Sequence, residues 1–249
     1  MTVRMSLVRT LAGVDALQVR RDPLLRWVVA VPLFIAVAAR AVLPPLLARL
    51  EARVDLPLVA YYDPIMGVAL LLLVPMLVGM VTGFLLLDQR DDRTITAVQV
   101  TPLPLRTYVA FRLAAPMVLS IVMTLLTLPL AGVGAPGPLP LLVVTLAASP
   151  AAPLYAMVLA AFATNKVQGF ALIKVVGAIT TLPAFALFMD GPAKLLLGVV
   201  PTWWPTRLYW SLTGADAGPA WLFALGALIY ASVLVIALWR RFMRRLLET

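Results

Sequence analysis

Asp91 and Asp92 are the one adjacent pair of carboxylates in the chain, and paired acids are an arrangement that general acid–base catalysis can use. Arg90 and Arg93 flank them directly. A carboxylate beside a guanidinium is stabilised in its charged form, so the pair reads as salt-bridged rather than catalytic. The chain contains no histidine and no cysteine. That removes the commonest general base and metal ligand, together with disulfides, thiol catalysis and thiolate metal sites. No GxxxxGK[ST] phosphate loop occurs. No catalytic residue and no metal site are therefore assigned, and the chain reads as no enzyme, binding no cofactor of its own.

The surroundings of these residues place them at a membrane. Of 249 residues, 63% are hydrophobic and 12% charged, and the mean hydropathy is +1.01, whereas about 25% of residues are charged in soluble domains. The fold class expected is an all-α integral membrane protein. The net charge of +9 does not point to nucleic acid, because the arginines sit mostly at the ends of apolar segments, where topology signals lie.

Residues 1–23 are too polar to span, yet Val3, Leu7, Leu11, Val14 and Leu17 share one side of a helical wheel. They are expected to form a cytoplasmic interfacial helix whose arginines face anionic headgroups. The remainder, 24–249, divides into six spans, near 24–47, 65–87, 107–131, 139–163, 170–189 and 221–239. No signal-peptide cleavage site follows a short apolar core, so the first span is expected to be retained. Pro44 and Pro45 are expected to bend or end the first span. The second contains Pro75, expected to kink it, and Gly79 and Gly83 at a spacing that lets helices approach closely, read as packing within one chain rather than a dimer contact. Pro150 and Pro153 are expected to break or kink the fourth. The segment 190–220, with Trp203, Trp204, Tyr209 and Trp210, reads as one or two re-entrant helices dipping into the outer leaflet, since aromatic residues at that density suit an interface.

With the N-terminus inside, thirteen of the 20 lysines and arginines fall in cytoplasmic segments and four, Arg49, Arg53, Lys194 and Arg207, outside, with Arg40, Arg112 and Lys174 in spans. The reverse orientation violates the positive-inside rule at nearly every loop. Both termini, the charged loop 88–106 and the turn at Asn165, Lys166 and Gln168 then share the cytoplasmic side. No span has a carboxylate at mid-depth, which argues against a proton-coupled relay. Two readings stand for two of these cations. Arg40 snorkels to the outer interface or lines a polar path, and Lys174 snorkels to the inner headgroups or lines the path.

Two stretches carry a resemblance. LLLDQRDDRTITAVQVTPLPLRTYVAFRLA resembles the loop between the second and third spans of type-2 ABC transporter permeases, where an acidic, arginine-bearing run opens a short coupling helix and a Thr-Pro-Leu turn leads into the next span. ATNKVQGFALIK, residues 163–174, is similar to the same family's Asn-Lys-Val-x-Gly entry to the fifth span, with a lysine one to two turns later. Within the family the chain resembles small permeases of fluoroquinolone and multidrug export. Where the family often has glycine after its second acid, this chain has Arg93.

The resemblance implies the permease subunit of an exporter in the plasma membrane of a prokaryote, paired with a second permease chain as homodimer or heterodimer. ATP and Mg would sit on separate ATPase subunits, docked at Asp88, Arg90, Asp91, Asp92, Arg93, Thr94, Ile95 and Val98. Thr94 to Val100 makes one or two turns of helix whose Ile95 and Val98 could enter a groove on the ATPase, with the acids at its favourable N-terminal end. The spans offer apolar and aromatic surface with few polar handles, which suits an amphipathic, drug-like or lipid-like cargo. The alternative is a non-transporting anchoring or assembly subunit whose loop recruits a cytoplasmic partner.

Overall fold

The computed structural model describes residues 13, 17, 20–21, 23–54, 56–91, 105–133, 137–189 and 191–247, and among these no strand occurs. Eight α-helices follow in order: α1 Pro23–Val54, α2 Tyr62–Asp91, α3 Leu105–Leu130, α4 Pro138–Ala148, α5 Ala151–Phe162, α6 Lys166–Thr181, α7 Trp203–Thr213 and α8 Ala220–Leu247. Three short 3₁₀ helices join them, Val59–Tyr61, Leu182–Phe188 as the continuation of α6, and Pro192–Val199 before α7. Among the described residues, six segments are long and apolar enough to cross a membrane: Val29–Val54, Val59–Arg90, Ala110–Leu130, Pro138–Phe162, Lys166–Phe188 and Ala220–Arg241. The protein is an all-α membrane protein with six spans.

The helix α2 is the most buried span. Its most apolar stretch is 83% buried and that of the fourth span 67%, against 17% for the first, 22% for the fifth and 17% for the sixth, so α2 and α5 form the centre and the outer spans turn apolar faces outward. Two glycines let α2 come close to α5. A Cβ added at Gly79 would meet the carbonyl oxygen of Ala152 and lie 2.7 Å from the Cβ of Tyr155. One at Gly83 would lie 2.8 Å from the Cβ of Leu159. Gly79 and Gly83 thus pack within the chain, as their spacing suggested.

The fourth span is broken, and the break is satisfied locally. Pro150 has no N–H to offer the Leu146 carbonyl. The Ser149 hydroxyl donates to that carbonyl instead, at 3.0 Å. In the apolar interior an orphaned carbonyl would cost about 1–3 kcal/mol, so a serine beside the proline stabilises the break.

Several helix ends differ from the expected ones. α1 does not stop at Pro44 and Pro45 but continues to Val54. The carbonyls those prolines free belong to Arg40 and Ala41, both exposed, where solvent can satisfy them. α8 runs through the basic stop to Leu247, because leaving an apolar environment does not by itself end a helix of good helix formers such as Arg, Met and Leu.

Candidate functional site

Hydrogen bonds sort the bundle into two ends. At one, Tyr62 Oη donates to Ala131 O at 2.8 Å, Trp210 Nε1 to Pro64 O at 3.0 Å and Tyr209 Oη to Asp63 O at 3.3 Å. At the other, the last turn of α2 meets the α5–α6 turn, and the end of α8 meets α5, where the Arg241 guanidinium lies 4.7 Å from the centre of the Phe162 ring.

The second end gathers sequence-predicted site residues into one cluster. Asp88 Oδ2 and Lys166 Nζ form an ion pair at 3.0 Å, and Arg90 Nη2 donates to Thr164 O at 2.7 Å. The turn receiving them is itself stiff. Asn165 caps α6, its Oδ1 accepting from Gln168 N at 2.9 Å, while Gln168 Oε1 accepts from Thr164 Oγ1 at 2.6 Å and Thr164 N at 3.1 Å. This is a variant of the helix-capping box, in which the returning glutamine bonds the residue before the N-cap rather than the N-cap itself. Beneath it, Phe84 and Phe170 rings sit 4.6 Å apart, and a Cβ at Gly169 would lie 2.7 Å from the Phe84 ring. The junction therefore rests on a packed base joining α2 to α6.

Asp88 and Lys166 remain partly exposed, and exposed pairs contribute about 0–1 kcal/mol. Lys166→Glu is expected to lower stability by about 1 kcal/mol or less, measured by thermal unfolding in detergent, with Asp88→Lys in the same chain restoring it. A swap that fails to recover any of the loss would show that the pair does not act as a pair.

The other sequence-predicted residues are placed differently. Asp91 ends α2, and its side chain lies outside the described residues, as do Asp92, Arg93, Thr94, Ile95 and Val98. Most of the 1–23 stretch also lies outside them, although Gly13, Leu17, Arg20 and Arg21 are helical and exposed. Arg40 stands apart from the cluster, at the opposite end. It is exposed, with Nη1 3.5 Å from Pro129 O, beside Gly132 near the C-terminus of α3, where the helix dipole favours a cation. Lys174 lies on the outward face of α6 and is exposed.

Three features escaped the sequence reading. Gln89, between Asp88 and Arg90, is buried, as is Arg112 on α3, although a guanidinium within a span is costly. Arg207, counted among outer-loop cations, is buried between the rings of Trp203 and Phe223, 5.6 and 5.1 Å from their centres. Its Nη1 is ion-paired with Asp216, its Nη2 donates to Ala217 O at 3.2 Å, and Lys194 approaches the same carboxylate at 3.7 Å. Burial lowers its pKa from the usual guanidinium value. Trp203, Tyr209 and Trp210 are likewise buried against the bundle rather than displayed at an interface: Tyr209 and Trp210 reach the backbone carbonyls of Asp63 and Pro64, and Trp203 packs edge-on against Phe223 and beneath Arg207. In the sequence, Asp216 nine residues after Arg207 was the one hint of such a pairing.

Two comparisons with known proteins find relatives of this chain. A family described as fluoroquinolones export permease protein Rv2686c-like matches residues 15–239. The fluoroquinolones export permease proteins MT2760 of Mycobacterium tuberculosis (strain CDC 1551 / Oshkosh) and Rv2686c of Mycobacterium tuberculosis (strain ATCC 25618 / H37Rv) are each 32% identical over 224 residues, covering 89% of this chain and 88% of theirs. No solved structure shows a significant match.

Proposed function

This chain belongs to the Rv2686c-like family of fluoroquinolone export permeases, and from that premise we propose that it is the membrane subunit of an ATP-driven ABC exporter for amphipathic, fluoroquinolone-like molecules. The transport path forms with a second permease chain, and ATP is hydrolysed on separate ATPase subunits. The end bearing Asp88, Lys166 and Arg241 faces the cytoplasm, in keeping with the excess of positive charge there, and the membrane is the plasma membrane of a prokaryote.

The observation that supports this most is the Asp88–Lys166 and Arg90–Thr164 junction. The segment leaving α2 at Asp91 is the one whose sequence suits an ATPase-docking helix, and it departs from a helix fastened to α6. Displacement of that segment by a closing ATPase would move α2 and α6 together. α2 would pass the motion to α5 through the Gly79 and Gly83 contacts. Arg90 is engaged by Thr164 of its own chain, which leaves Ile95 and Val98 as the apolar anchors for the partner.

Co-purification tests the docking. Replacing Ile95 and Val98 by Asp is expected to abolish association with the ATPase while leaving the permease folded in detergent, since buried apolar anchors dominate such interfaces. Retained association and retained ATP-dependent efflux in the doubly substituted chain would contradict the proposal.

A further inference from the structure

Lys174 is the one charged residue on the outward face of the middle of α6. Around it on α6, Val167 is 80% exposed, Val175 59% and Ile179 49%, and the residues one turn before and after, Ala171 and Ala178, are small and exposed. The ammonium has no partner among the described residues. Lys166, eight residues earlier, already occupies the helix end in its pair with Asp88. Eight residues of helix rise about 12 Å, which is longer than a four-carbon lysine stem, so Lys174 sits deeper than the level where Lys166 is held. An unpaired ammonium facing hydrocarbon at depth is costly.

A second copy of the chain cannot supply the missing charge. The acids within the six spans are Glu51, Asp63 and Asp88, each within a few residues of a span end, and Asp88 is engaged by Lys166. Two copies meeting on this face would bring cations together with no carboxylate at their depth. The partner that satisfies Lys174 is then an anion from outside the chain with an apolar body to lie along the helix.

The geometry points to Lys174 as the recognition point for the carboxylate of an amphipathic aromatic acid. The flat ring lies over the low relief left by Ala171 and Ala178, and Val175 adds apolar contact. This inference rests on the export reading above and deepens it, because fluoroquinolones are aromatic carboxylic acids. A charge-assisted contact with a carboxylate is strong in an apolar setting, whereas an ester of the same molecule keeps the ring and loses the anion. The site is thus selective for charge over shape.

The test is equilibrium binding of ciprofloxacin and of its methyl ester to the purified chain in phosphatidylcholine nanodiscs, followed by drug fluorescence. Lys174→Gln is expected to weaken ciprofloxacin about 10-fold, on the scale of a charged hydrogen bond, and to leave the ester unchanged. Lys174→Arg, which keeps the charge, is expected to bind the acid within a few-fold of the unsubstituted chain. Three results overturn the assignment: no loss on Lys174→Gln, an equal loss for acid and ester, or sensitivity to Lys174 that arises only when phosphatidylglycerol is added, which would make a lipid phosphate the occupant. Binding of ciprofloxacin with no dependence on Lys174 sinks this inference alone. Binding of neither compound to the unsubstituted chain sinks the proposed substrate class with it.

Discussion

Replacing Gly79 by Leu is expected to unfold the bundle or lower its stability by about 3 kcal/mol or more. Overpacking a filled core usually costs about 1–3 kcal/mol, through shifted side chains and small backbone movements. Here the added carbon meets the backbone carbonyl oxygen of Ala152 before anything flexible, and the Tyr155 Cβ at 2.7 Å next. Neither can rotate aside. Tyr155 is also fastened, its hydroxyl donating to Thr180 Oγ1 at 2.6 Å, so displacing α5 strains its tie to α6. The substitution is expected to appear as loss of monodisperse protein in detergent, or as a large drop in Tm. Gly13, with no atom within 4 Å of an added Cβ, is the control, and Gly13→Ala is expected to change neither readout. Wild-type stability in Gly79→Leu would mean that α2 and α5 are not in this contact.

The second large effect is expected at Arg207. Replacing it by Leu leaves Asp216 with Lys194 alone, at 3.7 Å, and removes the ring contacts with Trp203 and Phe223. Breaking a buried ion pair from one side costs about 3–5 kcal/mol because the remaining charge is stranded. The nearby Lys194 moderates that, so a loss of about 3 kcal/mol is expected. Adding Asp216→Asn to Arg207→Leu is expected to recover part of the loss, since no unpaired carboxylate then remains, whereas Lys194→Gln alone should cost about 1 kcal/mol or less. Thermal unfolding of the four proteins measures all of this. A double variant no more stable than Arg207→Leu would show that the ion pair contributes nothing and that packing alone holds α7 to α8.

The six spans were legible because a run of about 20 apolar residues is a strong signal. The break at Pro150 was expected from the two prolines of the fourth span, although Pro44 and Pro45, adjacent in the first, leave α1 continuous. What the sequence hid follows from a shared cause. Span ends are marked by polarity, but helices end where hydrogen bonding ends, so α1 and α8 outrun their apolar windows. Arg207 and the tryptophans near it looked like interfacial residues because type and density say nothing of what lies opposite. Their partners, Phe223 and the carbonyl of Pro64, are supplied by helices that only the fold brings near.

The candidate site was readable in part for the same reason. Counting positive charges expects Asp88 and Lys166 on one side of the membrane, yet no pattern within either segment says that they touch. Gln168 and Asn165 were visible as a polar turn, and the capping bonds Thr164, Asn165 and Gln168 make are what local sequence can specify, because all three lie within about one turn. Arg112 and Gln89 were unremarkable in sequence, since neither the charged run around Gln89 nor the apolar run around Arg112 says which side chain the fold buries.

Transport in inside-out membrane vesicles tests the central claim most directly. Vesicles containing this chain and its ATPase are expected to accumulate a fluoroquinolone only when ATP is supplied, and to lose that accumulation when Ile95 and Val98 are replaced by Asp. Accumulation that is independent of ATP, or that survives the double substitution undiminished, would contradict an ATPase acting through this loop.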